Sequence, residues 1–261
     1  MRRGILRSRP TATSNLPIIR TDTRMTTCRS METAMITDAA ILHKLLAWTS
    51  PSYPIGAFSY SHGLEQAVED GEVHNVEQLV AYASASLERG CAFIDAVMFA
   101  HPWRAAGDPM ALDDLADEAA AWRASSELAL ESRQQGAAFL TVTRKAWPHP
   151  GLDAFAAVRK GRPVSHAVAV ALACALHGVP FAPALQAFLY GFAANIVSAG
   201  VRLVPLGQTD GQIALARLAP VVSRVAERVV DVERDDIGAS AAMLDIFSMR
   251  HETQYTKLFR S

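Results

Sequence analysis

Apolar residues recur at the spacing of amphipathic helices from residue 38 onward. The clearest helix is predicted over residues 212–235, where the apolar positions keep to one face: Ile213, Leu215, Leu218, Val221, Val222, Val225 and Val229. No segment shows a convincing alternation of apolar and polar residues with β-branched enrichment. The pattern predicts an all-α fold, a single compact domain of about nine or ten helices.

Capping residues and helix breakers set the boundaries of the other helices. Asn75, with Gln78 three residues later, is a capping box that predicts one long helix reaching Ala100. Asp108 followed by Pro109 predicts another helix start. In chain order, the further helices are predicted over residues 38–48, up to 70, 110–123, 126–147, 153–158, 164–177 and 183–199.

The helix predicted over residues 126–147 has two different faces. Its apolar face carries Leu128, Ala138, Leu140 and Val142. The charged residues Glu127, Glu131 and Arg133 are expected on the opposite side, which faces solvent.

The first 34 residues differ from the rest of the chain. They hold seven arginines against two acidic residues, are rich in Thr and Ser, and lack apolar periodicity. We expect a disordered extension, or an upstream start codon with Met31 or Met35 as the working start. A transit peptide has the same composition and is the second interpretation. The expected organisation is an extension over residues 1–34 and an all-helical domain over residues 35–261.

Composition and charge suit an ordinary globular protein. Of 261 residues, 50% are hydrophobic and 20% are charged, and the formal net charge of −1 argues against a dedicated nucleic-acid binder. Three widely spaced cysteines predict no disulfide framework and favour the cytoplasm. The apolar stretch 164–206 is interrupted by His, Pro, Gln and Asn, so we expect buried helices there and no membrane segment.

Residues with catalytic or metal-binding chemistry are few. The sequence has no G-x-x-x-x-G-K-[ST] phosphate loop, no H-E-x-x-H, no G-x-S-x-G and no paired C-x-x-C motif. Cys174 and His177 have the spacing of two metal ligands, but two are too few for a closed site, and a core Cys and His are favoured. His251 and Glu252 offer acid–base chemistry without an identifiable nucleophile. We therefore expect no catalytic residue, metal ligand or cofactor.

Two segments have compositions that differ from those of ordinary core-forming helices. The first, residues 50–65, reads SPSYPIGAFSYSHGLE. Its two prolines stiffen the chain, and its hydroxyl groups precede a helix start, where free N–H groups need acceptors. Tyr60, Ser61 and Glu65 are candidates for a functional surface. The alternative is an elaborate helix entry in which Tyr60 simply packs.

The second segment, residues 249–261, reads MRHETQYTKLFRS. Such a polar tail cannot bury itself well, yet Arg and aromatic residues are the types that anchor interfaces. We expect residues 245–261 to form a tail that orders on a partner, with Arg250, Tyr255 and Arg260 as anchors. His251, Glu252 and Phe259 complete the set of candidate partner-binding residues.

Three segments, in order and at suitable spacing, resemble the urease accessory protein UreF family. They are PIGAFSYSHGLE (54–65), the region 190–208 with Asn195, Ser198 and Arg202, and the C-terminal SMRHE with Tyr255 and LFR. The resemblance spans about residues 38–261, and one departure is Ala57, where many relatives carry Gly. No single motif carries chemistry, but the three together make the resemblance specific.

The resemblance implies an all-helical, homodimeric assembly factor rather than an enzyme. Proteins of this family bind the accessory protein UreD, called UreH in some systems. That complex recruits the GTPase UreG and docks on apo-urease (UreABC), where nickel is delivered. An influence on the GTPase of UreG is also implied, with Lys160, Arg202 and Gln208 as candidate residues.

Two other functions stay open at the level of sequence. A helical ligand-binding or regulatory domain unrelated to urease would need a basic, exposed helix face. Arg217, Arg224 and Arg228 supply only a few of the basic residues that such a face requires. A helical enzyme using His251 and Glu252 would need a deep pocket that holds both. Neither alternative accounts for three ordered motifs.

Overall fold

The structure, a computed structural model, describes residues 38–261. The extension expected over residues 1–34 lies outside the described residues. Within them the chain forms eleven α-helices and two short 3-10 turns, and no strand. The helices are α1 (Ala39–Trp48), α2 (Leu64–Glu69), α3 (Val76–Arg89), α4 (Cys91–Arg104), α5 (Pro109–Ala121), α6 (Ser126–Ala146), α7 (Pro150–Arg159), α8 (His166–Leu176), α9 (Phe181–Leu203), α10 (Gln208–Val229) and α11 (Ala242–His251). The predicted all-α class is confirmed.

Side-chain caps begin several of these helices where the sequence places them. The Asn75 carboxamide oxygen accepts from the backbone N–H of Gln78 at 2.9 Å at the start of α3. Asp108 caps α5, and Pro109 occupies its first turn, where its missing N–H costs nothing. These predicted starts are confirmed because a cap needs only residues that are neighbours in sequence.

The single helix predicted from residue 75 to Ala100 is wrong, because Gly90 divides it into α3 and α4. A Cβ at Gly90 would lie 2.9 Å from the Cα of Ser86, so the chain turns where only glycine fits. Pro102 does not end α4; it lies in the last turn, and the helix runs on to Arg104.

The C-terminal part of the chain also differs from the sequence-based expectation. Helix α10 ends at Val229 rather than near residue 235, and a 3-10 turn follows at Arg234–Asp236. Helix α11 was not predicted at all. Its apolar residues lie on two sides, with Phe247 buried and Met243 and Ile246 exposed, so it has no amphipathic periodicity to detect.

Helix α8 lies at the centre of the core. Every side chain from 167 to 174 is buried, and α8 packs against α4 and α6. Gly136 of α6 permits this approach, because a Cβ there would lie 2.0 Å from the carbonyl oxygen of Val164. The small side chains in this region allow α4, α6 and α8 to pack closely.

Helix α9 is the one described helix long and apolar enough to cross a membrane by length and composition. Half of its most apolar window is buried inside the fold, where it packs against α3, α4, α8 and α10. A core helix passes the same test of length and hydropathy.

Candidate partner-binding site

The C-terminal residues 252–261 fold back onto the segment 59–65. The backbone N–H of Ser61 donates to the carbonyl oxygen of Ser261 at 2.8 Å, and the N–H of Arg260 donates to that of Ser59 at 2.8 Å. The Ser61 hydroxyl also donates to Ser261. The segment 59–65 and the C-terminal residues are therefore joined by backbone as well as side-chain hydrogen bonds.

Glu65, in the first turn of α2, is the main acceptor for this segment. Its carboxylate accepts from the backbone N–H of Leu258 at 2.6 Å and of Phe259 at 2.8 Å. The same carboxylate lies 3.1 Å from Nε2 of His251. Phe259 is only 3% exposed, so its side chain enters the core beside these bonds. One buried carboxylate thus links α2, α11 and the C-terminal residues.

His251 ends α11 and is enclosed by acidic residues. Its Nδ1 lies 2.6 Å from the carboxylate of Glu127, in the first turn of α6. Lys257 donates to the other oxygen of Glu127 at 2.7 Å. Glu252 accepts from the backbone N–H of Ser126 at 2.8 Å at the start of α6. Hydrogen bonding from the side chain of Ser126, and then from its backbone, lowers the pKa of Glu252. The N-terminus of α6 is therefore a second anchor for the C-terminal segment.

A third anchor is formed by His62 and Glu131, whose nearest side-chain atoms lie 3.2 Å apart. Glu131 also accepts from the Ser261 hydroxyl at 2.8 Å. Burial is the largest single influence on the pKa of His62 and lowers it, but Glu131, with smaller contributions from Cys91 and Asp95, outweighs burial and raises that pKa to about 9. Burial raises the pKa of Glu131. The expectation that Glu131 faces solvent is wrong: its side chain is 4% exposed, because it serves as the buried partner of His62.

Gly63 explains why the 54–65 motif needs glycine next to His62. Its φ is +77°, and a Cβ there would lie 2.7 Å from the backbone nitrogen of Ser248. The start of α2 can therefore rest directly on α11 only if residue 63 has no side chain.

Aromatic and arginine side chains cover the junction. The Arg202 guanidinium lies 3.9 Å from the ring centre of Phe58 and 4.3 Å from that of Phe259. Arg260 lies 5.7 Å from the ring centre of Tyr60, whose hydroxyl donates to Gln134. The central region 190–208 thus contacts both of the other motifs.

The structure brings the predicted site residues together but divides them into two groups. Most are buried and hold the junction: Tyr60, Ser61, Glu65, His251 and Phe259. The others lie at the surface: Arg250, Glu252, Tyr255 and Arg260. Arg250 forms a bidentate pair with Asp70, and Tyr255 is fully exposed. That residues 245–261 order on a partner stays a prediction; in the structure they contact α2 and α6.

Sequence reasoning missed an apolar stripe on α11. Met243 is 54% exposed, Ile246 42% and Met249 49%, and their spacing of three residues places them on one side of the helix. Leu258, 68% exposed, adds a fourth apolar side chain from the C-terminal segment. The three-residue spacing is visible in the sequence. It was not recognised as a helix face because no helix was predicted over these residues.

The structure also contains two depressions, one beside this junction and one on another face. A cavity of about 240 Å³ beneath the 50–62 segment is lined partly by the His62–Glu131 and Arg123–Asp95 pairs. Its lining includes neither His251 nor Glu252, so it does not supply the pocket that the enzyme alternative needs. A second, apolar depression of about 420 Å³ lies between α1, α9 and α10.

The remaining candidates from the sequence have structural partners. Cys174 is buried, which raises the pKa of its thiol, and His177 contacts the carbonyl oxygen of Trp147 at 3.2 Å. Among residues 38–261 no group of three or more His, Cys, Asp and Glu side chains is arranged to hold a metal.

Arg217 and Arg224 pair with Glu77 and Glu88, which neutralises the basic face that the ligand-binding alternative needs.

The fold and this junction define an all-α protein in which the 54–65 motif holds the C-terminal residues against the helical body. The UreF family model matches residues 73–219. A urease accessory protein UreF of Granulibacter bethesdensis is 50% identical over 227 residues, covering 86% of this chain and 96% of the relative. That of Rhodopseudomonas palustris (strain BisB5) is 46% identical over 244 residues, covering 91% and 100%. The chain therefore belongs to the urease accessory protein UreF family, as the three motifs indicated.

Proposed function

We propose that this chain is a non-enzymatic assembly factor that is needed for nickel insertion into apo-urease (UreABC). In this proposal it binds UreD, or UreH, and the GTPase UreG, and modulates the GTPase activity of UreG. Membership of the UreF family supports the urease assignment. The observation that carries the binding role is the exposed apolar stripe of α11, adjoining a C-terminal segment rich in surface Arg and Tyr.

UreD is the partner proposed for the α11 surface, which we define as Met243, Ile246, Met249 and Leu258. Exposed large apolar side chains on one side of a helix, with another on the segment that follows it, are typical of an interaction surface. Methionine adapts its shape to a partner, and Arg250 and Tyr255 beside the stripe are residue types enriched at interfaces. The network of contacts beneath it, centred on Glu65 and His251, would hold this surface in one conformation and so reduce the entropy lost on binding.

A second copy of the chain is the proposed occupant of the apolar depression between α1, α9 and α10. Leu46 is 63% exposed, Leu42 45% and Tyr190 52%, and all three line the depression. A protruding side chain beside a depression on the same face can be matched by itself across a two-fold axis. This surface is separate from α11, so a homodimer would leave the α11 surface free for UreD.

Arg202 is the residue we propose for an influence on UreG. Its guanidinium is held between Phe58 and Phe259, and its Nε donates to the carbonyl oxygen of Ser198 at 3.1 Å. A cation fixed in this way loses little entropy when it meets a phosphate or carboxylate of a partner. The proposed setting for all of these contacts is the cytoplasm, without a role for nucleic acid or membrane.

The binding proposal is tested by co-purification of this chain with UreD alone and with UreD plus UreG. We expect a complex with UreD that recruits UreG. Deletion of residues 249–261 should abolish it, while Glu72→Ala, at an exposed position just after α2, should not. A deletion variant that still captures undiminished UreD would contradict the binding role of this surface.

A further inference from the structure

The cavity beneath the 50–62 segment has an aromatic mouth and a polar, buried interior. Phe58, 66% exposed, and Tyr190, 52% exposed, are part of its lining, so it can be reached from the surface. Trp48, 2% exposed, and Arg123, whose side chain is 5% exposed, line its buried part. Its volume of about 240 Å³ lies below that of pockets for drug-sized ligands. Only a small molecule fits such a space.

Three buried polar groups in this lining lack a hydrogen-bond partner among the described residues. They are Nε1 of Trp48, Nε of Arg123 and the hydroxyl of Ser132. An indole N–H and a guanidinium N–H can only donate, whatever the pH. A buried donor without an acceptor is costly, and most buried donors in proteins have one. Two such donors around one cavity indicate an occupant that accepts hydrogen bonds.

The same lining also offers acceptors. Asp95 accepts from Nη2 of Arg123 at 2.6 Å through one carboxylate oxygen, which leaves its second oxygen available. Gln135 donates through its Nε2 to Glu131 at 2.8 Å, and its carboxamide oxygen bonds no other described group. Both side chains line the cavity. The occupant that fits this lining therefore donates hydrogen bonds as well as accepting them.

The charged groups of the cavity occur in pairs. Arg123 lies 2.6 Å from Asp95, and His62 lies 3.2 Å from Glu131. The pKa of His62 is about 9, so at neutral pH this second pair has no net charge, whichever group holds the proton. Burial lowers the pKa of His166 to about 4, so that ring is neutral. A charged ligand would add one uncompensated buried charge, which is costly, and an uncharged ligand is favoured.

A carboxamide combines these properties in the smallest space. Its carbonyl oxygen can accept two hydrogen bonds and its NH₂ group can donate two, whereas a hydroxyl group has only one proton to donate. We propose that this cavity binds a small uncharged carboxamide. Its carbonyl oxygen accepts from Trp48 and Arg123, and its NH₂ group donates to Asp95. Its apolar part packs against Val170 and Phe188, which complete the lining.

The test compares three probes of nearly the same shape and different charge: acetamide, acetate and acetamidinium. The full chain, with ¹⁵N-labelled tryptophan, is titrated at neutral pH and followed by NMR. We expect acetamide to shift the indole N–H signal of Trp48 in a saturable way, at about millimolar concentration for so small a probe. Acetate and acetamidinium should bind at least about tenfold more weakly. The indole of Trp103, which donates to the carbonyl oxygen of Val179 outside this cavity, is the internal control.

Arg123→Lys tests the guanidinium group directly. Lysine keeps a positive charge beside Asp95 but has no equivalent of the Nε–H group. We expect the affinity for acetamide to fall at least about tenfold. Arg133→Lys is the matched control, because Arg133 lies at an exposed position of α6 outside the cavity, and it should bind acetamide as the unmodified chain does.

Three results would overturn the proposal. The first is a Trp48 signal that shows no saturable change with acetamide, which would mean that water alone occupies the cavity. The second is equal affinity for the three probes, and the third is an Arg123→Lys variant that binds acetamide undiminished. If this variant does not fold, the ranking of the probes on the unmodified chain still decides. The site is independent of the proposed role in urease maturation, and since no partner is present either can fail alone.

Discussion

At the scale of single residues, Glu65 joins three donors that come from two other parts of the chain. Its replacement by alanine leaves two backbone N–H groups and a buried histidine without their acceptor. We expect Glu65→Ala to lower the free energy of unfolding by about 3 kcal/mol. Urea denaturation followed by circular dichroism measures this loss.

Glu69→Ala is the matched control for Glu65→Ala. Glu69 lies one turn later on the same helix and bonds only Gln254, at an exposed position. Its replacement should cost less than about 1 kcal/mol, as exposed polar contacts usually do. Equal losses in the two variants would show that Glu65 is not a central anchor.

His62 gives the stability of the protein a pH dependence. Its pKa is about 9 in the folded chain, where Glu131 and smaller contributions from Cys91 and Asp95 together outweigh burial, compared with about 6.5 in an unfolded chain. The stabilisation is therefore complete below about pH 6.5 and is lost as the pH rises toward 9. We expect the melting temperature of the unmodified chain to fall over this interval.

His62→Asn is the informative variant for this dependence. Asparagine tolerates the positive φ of +56° at this position but does not titrate. The variant should melt at a lower temperature at pH 6.5, with less additional decline toward pH 9. A decline as steep as that of the unmodified chain would assign the effect to other groups.

Residue-level roles could be predicted from the sequence only in part. The 54–65 motif and the C-terminal residues were recognised as special, and the structure joins them. The prediction that Glu131 faces solvent was wrong because its partner, His62, is 69 positions away in the sequence. No local sequence pattern indicates this pair. A charged residue on a helix is usually solvated, and only the tertiary contact reverses that expectation.

At the scale of helices, the contact between α2 and α11 depends on Gly63. Gly63→Ala places a Cβ 2.7 Å from the backbone of Ser248 and also strains a φ of +77°. We expect a loss of about 3 kcal/mol in the free energy of unfolding, since backbone atoms cannot move aside as a flexible side chain can. Chemical denaturation is the measurement.

Gly56→Ala separates the two causes of that loss. Gly56 has the same φ of +77°, but a Cβ there meets nothing within 4 Å. This variant should lose only the backbone strain, about 1 kcal/mol. If the two variants lost the same amount, close packing against α11 would contribute nothing.

The stripe on α11 should matter for binding and not for folding. Met243→Glu places a charge within the proposed apolar contact, so we expect affinity for UreD to fall at least about tenfold. Met110→Glu is the control, because Met110 is an exposed methionine on another helix, 69% exposed. Surface plasmon resonance distinguishes them, and equal affinities would remove α11 from the interface.

Helix boundaries were predictable where a cap lies next to the helix that it begins. Asn75 and Asp108 are examples, because the acceptor and the N–H groups that it satisfies are close in sequence. The break at Gly90 was not predictable in this way, since its cause is a contact between two helices that continue one another. Helix α11 was missed because its two apolar sides contact different surroundings, the core and solvent.

At the scale of the whole molecule, a homodimer through α1, α9 and α10 should dissociate when that surface is charged. Leu46→Asp puts a carboxylate beside the apolar depression, and in a symmetric dimer the change occurs twice. We expect a dimer for the unmodified chain and a monomer for the variant, by size-exclusion chromatography with light scattering.

Met110→Asp is the control for the dimer, because it adds the same charge at an exposed position outside the depression. It should remain dimeric. A Leu46→Asp variant with an unchanged mass would place the dimer interface elsewhere, and an unmodified chain that is monomeric would contradict the proposed dimer itself.

The central claim is that this chain is required for urease maturation, and activation of apo-urease tests it most directly. Apo-urease, UreD, UreG, GTP and nickel would be combined with and without the chain, and urease activity measured. The account predicts nickel-dependent activity that requires the chain and is lost when residues 249–261 are deleted. Full activation without the chain would contradict it.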